Sequence, residues 1–188
     1  MKRFIPVLPC ALILAFAPVA MAQTTPGANI PLTKKVQEPT AVEQVQALVR
    51  SGQSAKALAR ADEALAANPK NAQLRFMRGV LLGDLNRVGE AKTAFEQLTQ
   101  DYPELPEPYN NLAAILAGEG QLAQAEALLK SALDVAPNYA TARENLGDLY
   151  VRMAAESYAK AAQLAPGNRA LANKLGQTRE LLNRNLKR

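Results

Sequence analysis

The sequence predicts an all-α protein built as a solenoid of stacked helix pairs, about three and a half units long. Three observations carry that expectation. Prolines fall at Pro69, Pro103 and Pro137, each 34 residues after the last, and a fixed period of this length marks stacked supersecondary units. Small and apolar residues recur at constant offsets from those prolines. From residue 23 onward the chain holds no Cys, His or Trp, so side-chain packing rather than a disulfide framework must hold it together.

The elements follow in order. Lys2 and Arg3 precede the apolar run FIPVLPCALILAFAPVA, and Ala20-Met21-Ala22 then supplies a small-x-small cleavage pattern. Residues 1–22 therefore read as a signal peptide cut before Gln23, which implies export and a periplasmic location. A retained anchor is the rival, although Pro6, Pro9 and Pro18 interrupt a run already short for a span. A lipoprotein at Cys10, the only cysteine, is a second rival. Residues 23–39 carry three prolines and no period, and read as an extended, flexible leader. Thr40 and Glu43 form a capping box ahead of AVEQVQALV, and Ser51-Gly52 ends that helix. Further helices are expected over about 54–67, 71–85, 88–101, 106–117 and 121–135. Pro106 opens the fifth helix, AGEGQ turns the chain into the sixth, and Asn138 caps the seventh.

The internal alignment defines the units. Gly79 and Ala113 stand 24 positions before a proline, with Gly147 their counterpart in a shortened fourth unit. Twelve before stand Ala57, Ala91, Ala125 and Ala154; eight before, Ala61, Phe95, Leu129 and Tyr158; five before, Ala64, Leu98, Ala132 and Ala161. Small residues where two helices cross let the backbones approach, and each proline stops a second helix. The spans FMRGVLL…EAKTAF…YP and YNNLAAIL…QAEALLKSAL…P resemble the tetratricopeptide repeat, whose 34-residue unit reads W-x2-L-G-x2-Y, A-x3-F, P. The resemblance covers about residues 38–166, in units of about 38–69, 72–103, 106–137 and a shortened 140–166. It departs at the Trp position, which holds Arg75, Tyr109 and Arg143. It implies a right-handed solenoid over 40–166 whose first helices line a concave face.

The fourth unit is short. Pro137 to Pro166 spans 29 residues, five fewer than the period, and the five missing are those that form the turn elsewhere. No Gly, Pro or Asn lies between Asp148 and Ala165, while Leu146, Leu149, Tyr150, Met153, Tyr158, Ala161 and Leu164 keep helical spacing. This predicts one continuous helix over about 139–164; a tight turn near Val151–Ala155 is the alternative. A fused helix offers no fresh face for stacking, so the solenoid should stop there. Asn168 then caps a last amphipathic helix within 167–188, whose stripe of Leu171, Leu175, Leu182 and Leu186 should cover the long helix as a cap.

Composition narrows the function. Without His or Cys there is no common nucleophile–base pair, and Ser51, Ser54, Ser131 and Ser157 have no nearby lysine pattern. Zinc and calcium ligand spacings are absent, and Gly79, Gly83 and Gly89 do not form a phosphate loop. Asp62-Glu63 reads as a solvated helix face. The expectation is a non-enzymatic protein with no cofactor and no metal. After removal of Lys2 and Arg3, 20 basic and 17 acidic residues remain, too even a balance for a nucleic-acid partner.

Binding is the chemistry left, with another protein or a peptide segment as partner. The resemblance places Gln73, Phe76, Val80 and Asp84, then Glu107, Asn110, Asn111 and Ala114, then Thr141, Glu144, Asn145 and Asp148 on the groove side. Amides of Asn110, Asn111 and Asn145 could pair with an extended backbone; equally, they could cap or bridge neighbouring units. Gln73, Phe76 and Glu107 stand where a clamp for a C-terminal carboxylate would want basic residues. Residues 38–166 carry 12 basic and 16 acidic side chains, whereas 167–188 carries six basic side chains against Glu180. An acidic groove favours basic or neutral segments. Contact of the basic tail helix with anionic lipid is the lesser reading beside capping. A scaffolding role is the alternative function, through the convex face or through self-association of the first unit, where Ala57, Ala61 and Ala64 bury little.

Overall fold

The computed structural model describes residues 38–185; the segment read as a signal peptide, most of that read as a leader, and Leu186 lie outside them. Among the described residues there are eight α-helices and no strand: α1 Ala41–Arg50, α2 Ser54–Ala67, α3 Ala72–Asp84, α4 Val88–Asp101, α5 Pro106–Gly118, α6 Leu122–Val135, α7 Ala140–Leu164 and α8 Arg169–Asn185. Each helix packs on the next, and α5 also touches α7. The chain is an all-α solenoid of helix pairs.

Two recurring turns build the units. Where a first helix passes to a second, Gly52, Asn86 and Gly120 adopt left-handed backbone (φ 72°, 61° and 83°), spaced one period apart. The following residue donates its N–H back to the ended helix: Gln53 to Leu48, Arg87 to Leu82 and Gln121 to Leu116, at 2.8–2.9 Å. Where a second helix passes to the next unit, the residue before each proline leaves the helix with nearly constant backbone. Asn68, Tyr102, Ala136 and Ala165 have φ between −138° and −130° and ψ between 66° and 86°. The steric bulk of the proline ring forbids the α region there.

That second turn also decides which residue caps the next helix. A hydrogen bond closes residues 68–71, 102–105, 136–139 and 165–168, so the N-caps are Asn71, Leu105, Tyr139 and Asn168. Asn138 is therefore not the cap of α7: it falls one residue inside the turn, exposed, and Tyr139 takes the cap position, with no capping hydrogen bond from its side chain to the first turn of α7. Asn168 does cap α8, its Oδ1 accepting from the N–H groups of Ala170 and Leu171. The capping box of Thr40 and Glu43 forms, and Pro106 begins α5.

The core runs as a seam through the stack. Ala57, Ala61, Ala91, Phe95, Leu98, Ala125, Leu129 and Ala132 are at most 3% exposed. Phe95 lies on Gly79: a methyl there would come within 2.7 Å of its ring. The alanines of the first unit are sealed in the same seam, because small side chains let α1, α2 and α3 close together.

The fourth unit breaks the pattern. Helix α7 continues for 25 residues with no turn. Gly147 was expected at a helix crossing, but a Cβ there would meet nothing within 4 Å. The physical reason is that no second helix returns over it. Helix α8 begins 29 residues after α7 and carries Leu175-Gly176 where α7 carries Leu146-Gly147. It thus matches the first helix of a further unit in register, and, with Lys174 Nζ 5.6 Å from the Tyr158 ring, it packs against α7. Leu171, Leu175 and Leu182 are half-buried against it.

Candidate functional site

Nine of the candidate residues sit at three equivalent positions on α3, α5 and α7 (Gln73, Glu107, Thr141; Phe76, Asn110, Glu144; Val80, Ala114, Asp148), Asn111 and Asn145 share a fourth, and the structure gives them different duties. Phe76 is 9% exposed, with its ring 5.8 Å from that of Phe95. It belongs to the core. Gln73, Val80, Glu107, Ala114, Thr141 and Asp148 are half-buried, and Asp84 and Glu144 are exposed. Asp84 ends α3, where desolvation raises its carboxyl above the ordinary carboxylate range.

The asparagines bridge. Asn145 Nδ2 donates to Asn110 Oδ1 at 2.8 Å, joining α7 to α5, and Asn110 is 5% exposed. Asn111 Nδ2 donates to the carbonyl of Glu107 one turn earlier in α5. Asn110 and Asn145 are therefore brought together, but as a tie between units.

The Trp positions of the repeat are filled by polar anchors. Arg75 reaches Asp101 at 2.7 Å and lies 5.5 Å from the Tyr102 ring. Tyr109 donates its hydroxyl to the Thr99 carbonyl, and Arg143 donates to that of Pro137. Arg75 thus ties α3 to the end of α4 after it, Tyr109 ties α5 to α4 before it, and Arg143 ties α7 to the turn leading into it. Sequence reasoning registered them only as departures; their carbonyl and carboxylate partners lie 6 to 26 residues away, beyond any local pattern. Arg78 pairs with Asp62 at 2.6 Å and Lys92 with Glu119 at 2.8 Å, again between units. The bases near the candidate face are thus occupied, while Asp84, Glu107, Glu144 and Asp148 make its charge acidic.

An open cleft of about 440 Å³ lies apart from these twelve residues. It is lined by the start of α6, Gly120 to Gln124, and by Met153, Glu156, Ser157 and Lys160 on α7. Among the described residues no cluster of acidic, His or Cys side chains is placed to hold a metal ion, and no helix is long and apolar enough to cross a membrane.

The relationships of the chain agree with this architecture. A search of curated protein sequences finds no match. The fold is similar to the first TPR of Spaghetti (RPAP3) bound to an HSP90 peptide, SRMEEVD, with TM-score 0.57, 18% identity, and coverage of 61% of this chain and 90% of that one. It is similar to MamA 41-end from Desulfovibrio magneticus RS-1, with TM-score 0.54, 19% identity, and coverage of 77% and 74%. It is also similar to part of a mutant O-GlcNAc transferase of Thermobaculum terrenum, with TM-score 0.55 and 23% identity; 61% of this chain matches 22% of that one. Two family models described as tetratricopeptide repeat match residues 42–106 and 106–139. With helix pairs in the 34-residue frame over that span, the chain belongs to the tetratricopeptide repeat family.

Proposed function

We propose that the protein is a non-enzymatic interaction module, working after export, that holds a basic or neutral segment of another protein along α3, α5 and α7. The observation that carries this reading is the charge of that face. Its polar candidates include four carboxylates, Asp84, Glu107, Glu144 and Asp148, while Arg75, Arg78 and Arg143 are drawn into ties between elements. A similar domain holds the acidic peptide SRMEEVD. The acidic register here disfavours that ligand chemistry, since like charges brought together on a partly desolvated surface repel. Export is supported by the Lys2-Arg3 start, the apolar run and the Ala20-Met21-Ala22 pattern.

The test is a pair of labelled extended peptides, one lysine-rich and one glutamate-rich, titrated against the protein by fluorescence anisotropy. The lysine-rich peptide should bind more tightly, and its affinity should fall as salt rises. Reversing Glu107→Lys and Glu144→Lys together should weaken that binding about tenfold or more, the equivalent of about 1.4 kcal/mol. Preference for the acidic peptide, or indifference to both reversals, would move the site elsewhere. A pull-down from periplasmic extract would then identify the partner.

A further inference from the structure

We propose that the face formed by α3, α5 and α7 is occupied by the chain's own residues 23–37, with Lys34 and Lys35 seated against Glu107 and Glu144. This rests on the reading that the face takes basic extended segments, and it names a segment of that chemistry tethered beside it.

Charge is the first argument. Residues 23–37 hold two lysines, Lys34 and Lys35, and no acidic residue. Among the described residues Glu107 and Glu144 enter no ion pair, whereas Asp62, Asp101 and Glu119 are each tied to a basic side chain on a neighbouring helix. Glu107 is half-buried and Glu144 exposed. A half-buried carboxylate gains more from an incoming cation than a solvated one, because water and salt screen the pair less. The nearby bases are engaged elsewhere: Arg75 holds Asp101, Arg78 holds Asp62, and Arg143 donates to the Pro137 carbonyl. The lysine pair supplies the cations that this face lacks.

Reach is the second argument. The described residues begin at Glu38, two residues ahead of the Thr40 cap of α1. Helices α1, α3 and α5 open successive units, so their N-terminal ends lie along one edge of the stack. Glu107 is the second residue of α5, on that same edge. First helices stand side by side, as α5 and α7 do, about 10 Å apart. The start of α5 is thus about 20 Å from the start of α1. Lys35 and Lys34 stand five and six residues ahead of Thr40. An extended chain covers about 3.3 Å per residue, which gives them a reach of about 17–20 Å. That matches the distance to Glu107, and the Lys34 side chain carries its charge on toward Glu144. Pro31 and Pro39 bracket the pair and favour extended backbone over helix.

The tether has a consequence for binding. A lysine pair held by so short a link competes at an effective concentration on the order of millimolar. A basic partner must therefore displace it before it can bind.

The test uses the full chain with Cys10→Ser, so that Thr33→Cys carries the only nitroxide. In amide NMR spectra of dilute protein, the signals of Glu107 and Glu144 should broaden strongly, while that of the exposed Lys130 on α6 should not. Adding Lys34→Glu and Lys35→Glu should abolish the broadening. The same reversal should tighten binding of the lysine-rich peptide about tenfold, because the competitor is gone. Sharp signals at Glu107 and Glu144 would overturn the proposal. Broadening that vanishes on dilution would overturn it too, by placing the segment on a second copy. The peptide separates this idea from the reading beneath it. Equal binding by wild type and reversal variant removes residues 23–37 from the face and leaves the face itself standing; binding by neither removes the face as well.

Discussion

Gly79 and Gly147 occupy the same repeat position and should respond to alanine in opposite directions. A Cβ on Gly79 meets the Phe95 ring at 2.7–3.2 Å, so Gly79→Ala should overpack the crossing and cost about 1–3 kcal/mol. Gly147→Ala meets open space and removes the entropic cost of a helical glycine, so it should stabilise by about 0.5–1 kcal/mol. Thermal unfolding at high dilution measures both; equal effects would contradict the packing. Asn86 is the third such position. It holds φ 61° where the neighbouring turns use Gly52 and Gly120, so Asn86→Ala should cost about 1 kcal/mol and Asn86→Gly should not. Glu43 supplies a pH response. The Thr40 backbone and hydroxyl bonds hold its carboxyl below the ordinary range. A depressed acid stabilises the fold above its unfolded value and loses that contribution as pH falls through the folded one. Helicity at α1, followed by amide NMR, should fray on acidification below the ordinary carboxylate range, and Glu43→Gln should remove that pH dependence.

Helices were legible from the sequence almost to their ends, because their limits are set by local chemistry: a proline, a left-handed turn residue, a capping box. The predicted second helix, 54–67, and fourth, 88–101, coincide with α2 and α4. Asn138 was misread because the turn ahead of α7 is closed by Tyr139, and only its recurrence at Asn71, Leu105 and Asn168 shows where a cap must stand. Side-chain duties across units were less legible, since they depend on neighbours about 35 residues away. Asn110 and Asn145 looked equally suited to a ligand backbone or a bridge; the 2.8 Å bond between them assigns the bridge. A double-mutant cycle of Asn110→Ala and Asn145→Ala by urea denaturation should give a coupling of about 0.5–1.5 kcal/mol. Zero coupling would dissolve that tie. Arg152 is a second long-range tie, donating to the Ala117 carbonyl near the end of α5. It anchors α7 to the stack at the point where the turn would otherwise begin.

At the scale of the whole molecule, one deletion shapes the architecture. Three complete helix pairs stack, and the fourth is drawn out into α7 because the five residues that reverse the chain elsewhere are missing. The helix then outruns the stack, packs against α8, whose Lys174 lies 5.6 Å from the Tyr158 ring, and leaves open space at Gly147. The candidate site was only partly legible for the same reason. Periodicity assigns positions to a face, but whether an occupant of that face is core, bridge or free depends on which helices come back to cover it. Phe76 turned out to be core and Asn110 a bridge. The most direct test of the account is the distance between spin labels at Thr141 and Gln163, measured by pulsed electron resonance in labelled protein diluted with unlabelled chain. A continuous α7 puts the two backbone positions about 33 Å apart; a separation near 10 Å, the spacing of two packed helices, would mean that the chain turns back after all.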